Sequence, residues 1–163
     1  MNVPQKIIIH HSASDRYSTS VQKIDHWHKE RGFTYSKLGY YVGYQYVIDM
    51  YGEITQTRSE SEEGCHTIGE NNNSIGICLI GNFDKDVPTL KQVTALRALI
   101  QNLMTKYKIK VQYIYPHRRF SNTHCPGVRL NDDWAQREIL QAEVSRLTQI
   151  VLWLQIQISK ILK

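Results

Sequence analysis

Two histidines and a cysteine, widely separated in the chain, are the residues best suited to chemistry. His10 closes the apolar run Ile7-Ile8-Ile9, and His117 and Cys125 lie more than a hundred residues later, between Pro116 and Gly127. Imidazole nitrogen and thiolate sulfur are donors that zinc accepts, and three protein ligands leave a fourth position for water, as in catalytic sites. Structural zinc sites usually take four ligands, often in close pairs such as C-x2-C, and the chain has no such pair. His11 and His124 adjoin the trio and compete for the ligand role. Successive residues of a strand point to opposite faces, so only one of His10 and His11 can face a metal. A lone histidine in such a setting is ordinarily a hydrogen-bonded core residue; the company of two further ligands is what points to a metal.

The elements that must bring these residues together can be read from the pattern. Ile7 to His10 is short, β-branched and continuous, as a buried strand is. Ser20 is placed to cap a helix from Val21 to about Arg31, with Val21, Ile24, Trp27 and His28 on one face; His26 and His28 are read as surface or packing residues. After a loop rich in glycine and tyrosine, Gln45 to Asp49 and Ile54 to Thr57 form a predicted hairpin turning at Tyr51-Gly52-Glu53. Ser74 to Ile80 reads as a strand, and Thr89 to Lys106 as an amphipathic helix with Leu96, Leu99, Ile100 and Leu103 on its apolar stripe. A short strand over Val111 to Ile114 leads into the His117 loop, and a last helix follows Asn131-Asp132-Asp133, whose carboxylates suit a helix N-terminus. Interleaved strands and helices predict an α/β fold, a mixed central sheet flanked by helices.

At 163 residues the chain is long enough for one domain with a substantial core, and the net charge of +5 gives a mildly basic surface. A nucleic-acid partner is not expected, because there is neither a basic helix nor a stacking-aromatic motif. Three cysteines argue against a disulfide framework, and Cys65 and Cys78 read as buried free thiols. No secretory signal and no membrane-length apolar run is visible.

Five segments, in order, carry a resemblance. They are Ile7 to Ala13, Gly64-Cys65-His66-Thr67-Ile68-Gly69, Asn73 to Phe83, Pro116-His117, and Thr123-His124-Cys125-Pro126-Gly127. Together they resemble the type-2 N-acetylmuramoyl-L-alanine amidases, a family that includes amidase-type phage lysozymes and peptidoglycan recognition proteins. Trp27-His28-Lys29 and Val42-Gly43-Tyr44 match the phage branch, and the resemblance covers roughly Val3 to Trp134. It implies a zinc cofactor on His10, His117 and Cys125, selecting His10 over His11. It also implies Tyr44 and Thr123 as catalytic residues, and His66 and Thr67 near the substrate. Asn72 and Arg118 are added as substrate contacts, the first for its place between two family motifs, the second as a partner for stem-peptide carboxylates. Thr123 stands where phage relatives place lysine and Gln45 where they often place histidine, so Thr123 resembles the recognition-protein branch.

The implied activity is zinc-dependent hydrolysis of the amide between N-acetylmuramic acid and L-alanine in bacterial peptidoglycan, by a phage or prophage endolysin. The alternative is a recognition module that binds peptidoglycan without cutting it. An endolysin without a signal would be made in the host cytoplasm and act on periplasmic peptidoglycan after release.

Residues 1–136 are expected to form the catalytic domain and 137–163 an added amphipathic helix. Leu140, Val144, Leu147, Val151, Leu154, Ile158 and Ile161 alternate steps of four and three, a heptad seam of about three heptads. Ile150, Leu152, Trp153, Ile156 and Leu162 widen the apolar surface. Such a helix must hide that surface by homo-oligomerisation, by packing on its own domain, or on a membrane with Lys160 and Lys163 at the headgroups.

Overall fold

The computed structural model describes residues 2–161. In chain order the elements are strand β1 (Lys6–His11), helix α1 (Val21–Glu30), strands β2 (Tyr46–Ile48), β3 (Ile54–Gln56) and β4 (Ser74–Leu79), helix α2 (Leu90–Tyr107), strand β5 (Ile114–Pro116) and helix α3 (Trp134–Ile161). The strands form one mixed sheet in the order β3-β2-β4-β1-β5, in which only the β2–β3 pair is antiparallel. β1 is an inner strand, with β4 on one side and the edge strand β5 on the other, so the strand that carries His10 near its end is fixed along both edges.

The alternation of side chains along β1 and β4 decides the two faces. Ile7, Ile9, Ile75, Ile77 and Leu79 enter the main core under α2 and the start of α3, with Leu96, Ile100, Leu103 and Ile139. Cys78 and Ile80 face the other way, into a smaller cluster with Ile24 of α1, Val42 and Val47. His11 falls on the α2 face, where its Nδ1 accepts a hydrogen bond from the Phe83 amide at 3.1 Å. His10 falls on the α1 face, its ring centroid 5.0 Å from that of Tyr44.

The helix ends follow their local signals. Ser20 accepts a hydrogen bond from the Lys23 amide at the start of α1. Thr89 caps α2 in a reciprocal capping box with Gln92. The hairpin turns where expected, with Gly52 at φ +84°.

One strand boundary differs from the sequence expectation. Val111–Tyr113 is a 3-10 turn, and the strand comes later, at Ile114–Pro116. Proline is tolerated there because β5 is an edge strand. The expected division between residues 136 and 137 falls inside α3, where Ile139 is still buried and Glu138 pairs with Arg97 of α2. Among the described residues no helix is long and apolar enough to cross a membrane. Leu162, Lys163 and the side chain of Ile161 lie outside the described residues.

Candidate metal centre and cleft

β1 delivers His10 at its C-terminal end, and the loop after β5 delivers the other two candidates. His117 opens a single 3-10 turn, His117–Arg119, directly after Pro116 of β5. Cys125 sits at the end of the same loop, in a cis peptide with Pro126. Because β5 pairs with β1, this loop lies over the end of β1. One ligand atom from each of His10, His117 and Cys125 lies within 4.8 Å of the others.

The chemistry of the donor set fits a metal. Cys125 Sγ is 3.7 Å from His10 Nδ1, and a tetrahedral zinc with ordinary bond lengths puts sulfur and nitrogen about 3.6 Å apart. Burial, reinforced at His10 by the neighbouring imidazoles, lowers the pKa of His10 well below 6.5, and burial also lowers that of His117. Both rings are therefore neutral at physiological pH, with lone pairs free. Burial pushes the Cys125 thiol up to about 12, so binding a cation there must displace a proton. The His11 amide donates to Cys125 Sγ at 3.4 Å, a contact that suits a thiolate.

The other nitrogen of His10 is held from behind. His10 Nε2 lies 3.1 Å from His66 Nδ1, and Thr67 Oγ1 lies 3.0 Å from the same atom. The His66 ring occupies space that two glycines leave open. A Cβ on Gly64 would fall 2.4 Å from His66 Cδ2, and one on Gly76 2.6 Å from the same atom. Gly76 sits on β4 opposite Ile8, on the His10 face of the sheet. His66 Nε2 is buried with no hydrogen-bond partner among the described residues, and burial lowers the pKa of His66 to about 3.

Tyr44 completes the inner group. Its ring stands against His10 and, at 5.4 Å, against His28. Burial, together with the Cys78 and Cys125 sulfurs, raises its phenol well above 10, so the group stays protonated. Thr123 Oγ1 accepts the Cys125 amide at 3.2 Å, bracing the ligand turn.

A cleft of ≈ 490 Å³ opens beside the cluster. Its wall includes His117, His66, Thr67, Phe33, Thr34 and Asn71. This volume is in the range of small-ligand sites.

The other expected contacts lie elsewhere. Asn72 is exposed and does not line the cleft. Its neighbour Asn71 does, while its Oδ1 accepts the amides of His66 at 2.9 Å and Thr67 at 2.8 Å. Arg118 is turned into its own loop, donating to the carbonyls of Gly127 and Leu130 at 2.7 Å each. Phe33 and Thr34 carry no sequence signal for a place in the cleft, whereas the run Asn71-Asn72-Asn73 reads in sequence as a candidate glycan-binding rim and Asn71 is the member that lines the cleft. Cys65 and Cys78 are free thiols, as expected, the first half-buried.

Comparison with known proteins agrees with this geometry. A family model described as N-acetylmuramoyl-L-alanine amidase matches residues 1–128. The endolysin of Escherichia phage T7 is 32% identical over 143 residues, spanning 84% of this chain and 89% of that protein. Peptidoglycan-recognition protein SC2 of Drosophila melanogaster is 30% identical over 125 residues, spanning 76% and 68% respectively. Among solved structures, the N-acetylmuramoyl-L-alanine amidase LysC from Clostridium intestinale URNW superposes with a TM-score of 0.70 at 34% identity, covering 78% of this chain and 79% of that one. With its sheet, ligand-bearing loop and sequence all in agreement, the chain belongs to the N-acetylmuramoyl-L-alanine amidase family.

Proposed function

We propose that this protein is a zinc-dependent hydrolase that cuts the amide between the lactyl group of N-acetylmuramic acid and the L-alanine of the stem peptide, and that it serves as a phage or prophage endolysin. The observation that carries this reading is the convergence of His10, His117 and Cys125 beside a cleft that His117 itself lines. A zinc ion held by these three would supply a Lewis acid and acidify a water from a pKa of about 15.7 toward about 7.

The chain's own residues supply the rest. Tyr44, protonated at working pH, donates its O–H to negative charge developing on the scissile carbonyl oxygen. Its raised pKa makes it a donor rather than a base. His66 accepts the Nε2 proton of His10, which fixes the ring with Nδ1 toward Cys125. That leaves the His66 Nε2–H unpaired in the buried space between Gly64 and Gly76, while another edge of the ring lines the cleft. Thr123 holds the Cys125 turn with an oxygen lone pair and keeps its own hydroxyl proton to donate.

Residues 1–136 supply this machinery, and the remainder of α3 is an addition to it. As an endolysin the protein would be made in the host cytoplasm and reach peptidoglycan after release; the similarity to the phage T7 endolysin supports this setting. Thr123 and the similarity to a peptidoglycan-recognition protein favour one competing reading, a module that binds the wall without cutting it. Substituting Cys125→Ala separates the two. The variant is expected to lose zinc retention and turbidity-clearing of purified sacculi together, while circular dichroism shows a folded chain. Undiminished clearing by zinc-free variant would refute the zinc mechanism, and no clearing by zinc-loaded wild type would favour the binding module.

A further inference from the structure

Helix α3 parts from the domain after its first turns. Ile139 is 1% exposed, but Val144 is 63% and Ile158 54% exposed. Glu143 and Arg146 are the last residues that share a depression with α2, beside Gln101 and Met104. The first three seam residues each follow a domain-facing one by a single position: Leu140 after Ile139, Val144 after Glu143, Leu147 after Arg146. One position is about 100° around an α-helix. The seam is therefore turned away from α2, and Leu140, Val144, Leu147, Val151, Leu154 and Ile158 are all exposed.

The residue types along the seam specify what covers it. Val144, Val151 and Ile158 alternate with Leu140, Leu147 and Leu154. In heptad terms every a position is β-branched and the d positions are leucine except the last, Ile161, so three of the four follow the combination that favours two parallel strands over three or four. The flanks agree. In a parallel, in-register pair each g position meets the e position five residues on in the other chain, which sets Glu143 beside Thr148 and Ile150 beside Gln155. No like charges meet. The strip from Leu140 to Ile158 is about 28 Å long and about 10 Å wide, roughly 280 Å², comparable to the largest single apolar patch that a soluble monomer ordinarily exposes. A helix lying on a membrane needs a strongly polar face opposite its apolar one. Here Leu147 to Ser159 contains no charged residue, and Leu152, Trp153 and Ile156 are exposed away from the seam.

We propose that α3 pairs with α3 of a second copy as a parallel, in-register, two-stranded coiled coil that carries two catalytic domains at one end. Light scattering of the full chain across a concentration series should give twice the 19.0 kDa chain mass. The seam double variant Leu147→Glu/Val151→Glu should halve that mass, and the off-seam Leu152→Glu should leave it unchanged, with circular dichroism confirming the fold of each. Leu154→Cys tests orientation without disrupting the helix: mild oxidation should join most chains through that position in the full-length protein, and wild type should not cross-link. A single-chain mass at every concentration, a dimer indifferent to the seam substitutions, or no cross-link from Leu154→Cys would overturn the proposal. Single-chain mass combined with sedimentation on anionic phosphatidylglycerol vesicles would assign the seam to a lipid surface instead.

Discussion

The glycine at position 76 is predicted to govern metal affinity, although it touches none of the three ligands. Gly76 lies in β4 on the face that carries His10, and a Cβ there would come within 2.6–2.8 Å of three atoms of the His66 ring. To regain ordinary contact at 3.4 Å the ring must retreat by about 0.8 Å, and Gly64 leaves it no slack on its own side, with Cδ2 at 2.4 Å from the corresponding Cβ position. A displacement of that size along the 3.1 Å contact to His10 Nε2 takes it out of hydrogen-bonding range. Gly76→Ala should therefore act at two levels. Overpacking should cost the fold about 1–3 kcal/mol, and loss of the group that orients His10 should weaken zinc binding roughly 10–100-fold. Denaturant unfolding of the metal-free protein reads the first, and zinc competition against a chromophoric chelator reads the second. On a His66→Ala background, with the ring gone, Gly76→Ala should cost little further zinc affinity. Full additivity of the two substitutions, or wild-type affinity in folded Gly76→Ala, would refute the reasoning.

Other outcomes follow from the same geometry. Tyr44→Phe should keep zinc but lower turnover about 10²–10³-fold, the usual cost of one oxyanion donor; full turnover would remove the phenol from the mechanism. The pH dependence of metal-free stability should carry a signature of His28, which is buried, accepts the Gly43 amide at Nδ1, and has its pKa lowered to about 4 by burial, then by Arg31. Between about pH 6.5 and about pH 4 the unfolded chain holds a proton there that the folded chain does not, so stability falls as the medium is acidified through that window. At about 1.36 kcal/mol per unit the loss over that window comes to about 3.4 kcal/mol, trimmed to about 2 by partial solvent screening. His28→Gln, which can accept the same amide, should flatten the acid limb by one proton equivalent; an unchanged slope in denaturant titrations across pH would show that His28 is not its source.

Much of this site was legible in the chain because the signals were local or ordered. β1 is built on the β-branched run Ile7-Ile8-Ile9, α2 carries a clean apolar stripe behind a Thr89–Gln92 box, and the metal candidates are chemically distinctive. The choice of His10 over His11 was fixed by motif and is explained by strand alternation: residue 11 shares a face with Ile7 and Ile9, and residue 10 does not. What escaped the sequence depends on contacts between distant segments. His66 could be placed near the substrate, but its seat behind His10 requires Gly64 and Gly76 to leave room from two different elements. Arg118 looked free to meet carboxylates because nothing in its local sequence announces the Gly127 and Leu130 carbonyls that it binds. Asn71 and Asn72 are indistinguishable by type; the turn between His66 and Ser74 decides which one faces the cleft.

Mass spectrometry of sacculi digested by the full chain, with zinc and after chelation, tests the central claim most directly. The account predicts stem peptides released with a free L-alanine amino terminus and glycan strands keeping the lactyl carboxylate, lost on chelation and restored by zinc. Products with stem peptides still attached to muramic acid, or the same amide cleavage in zinc-free protein, would contradict it.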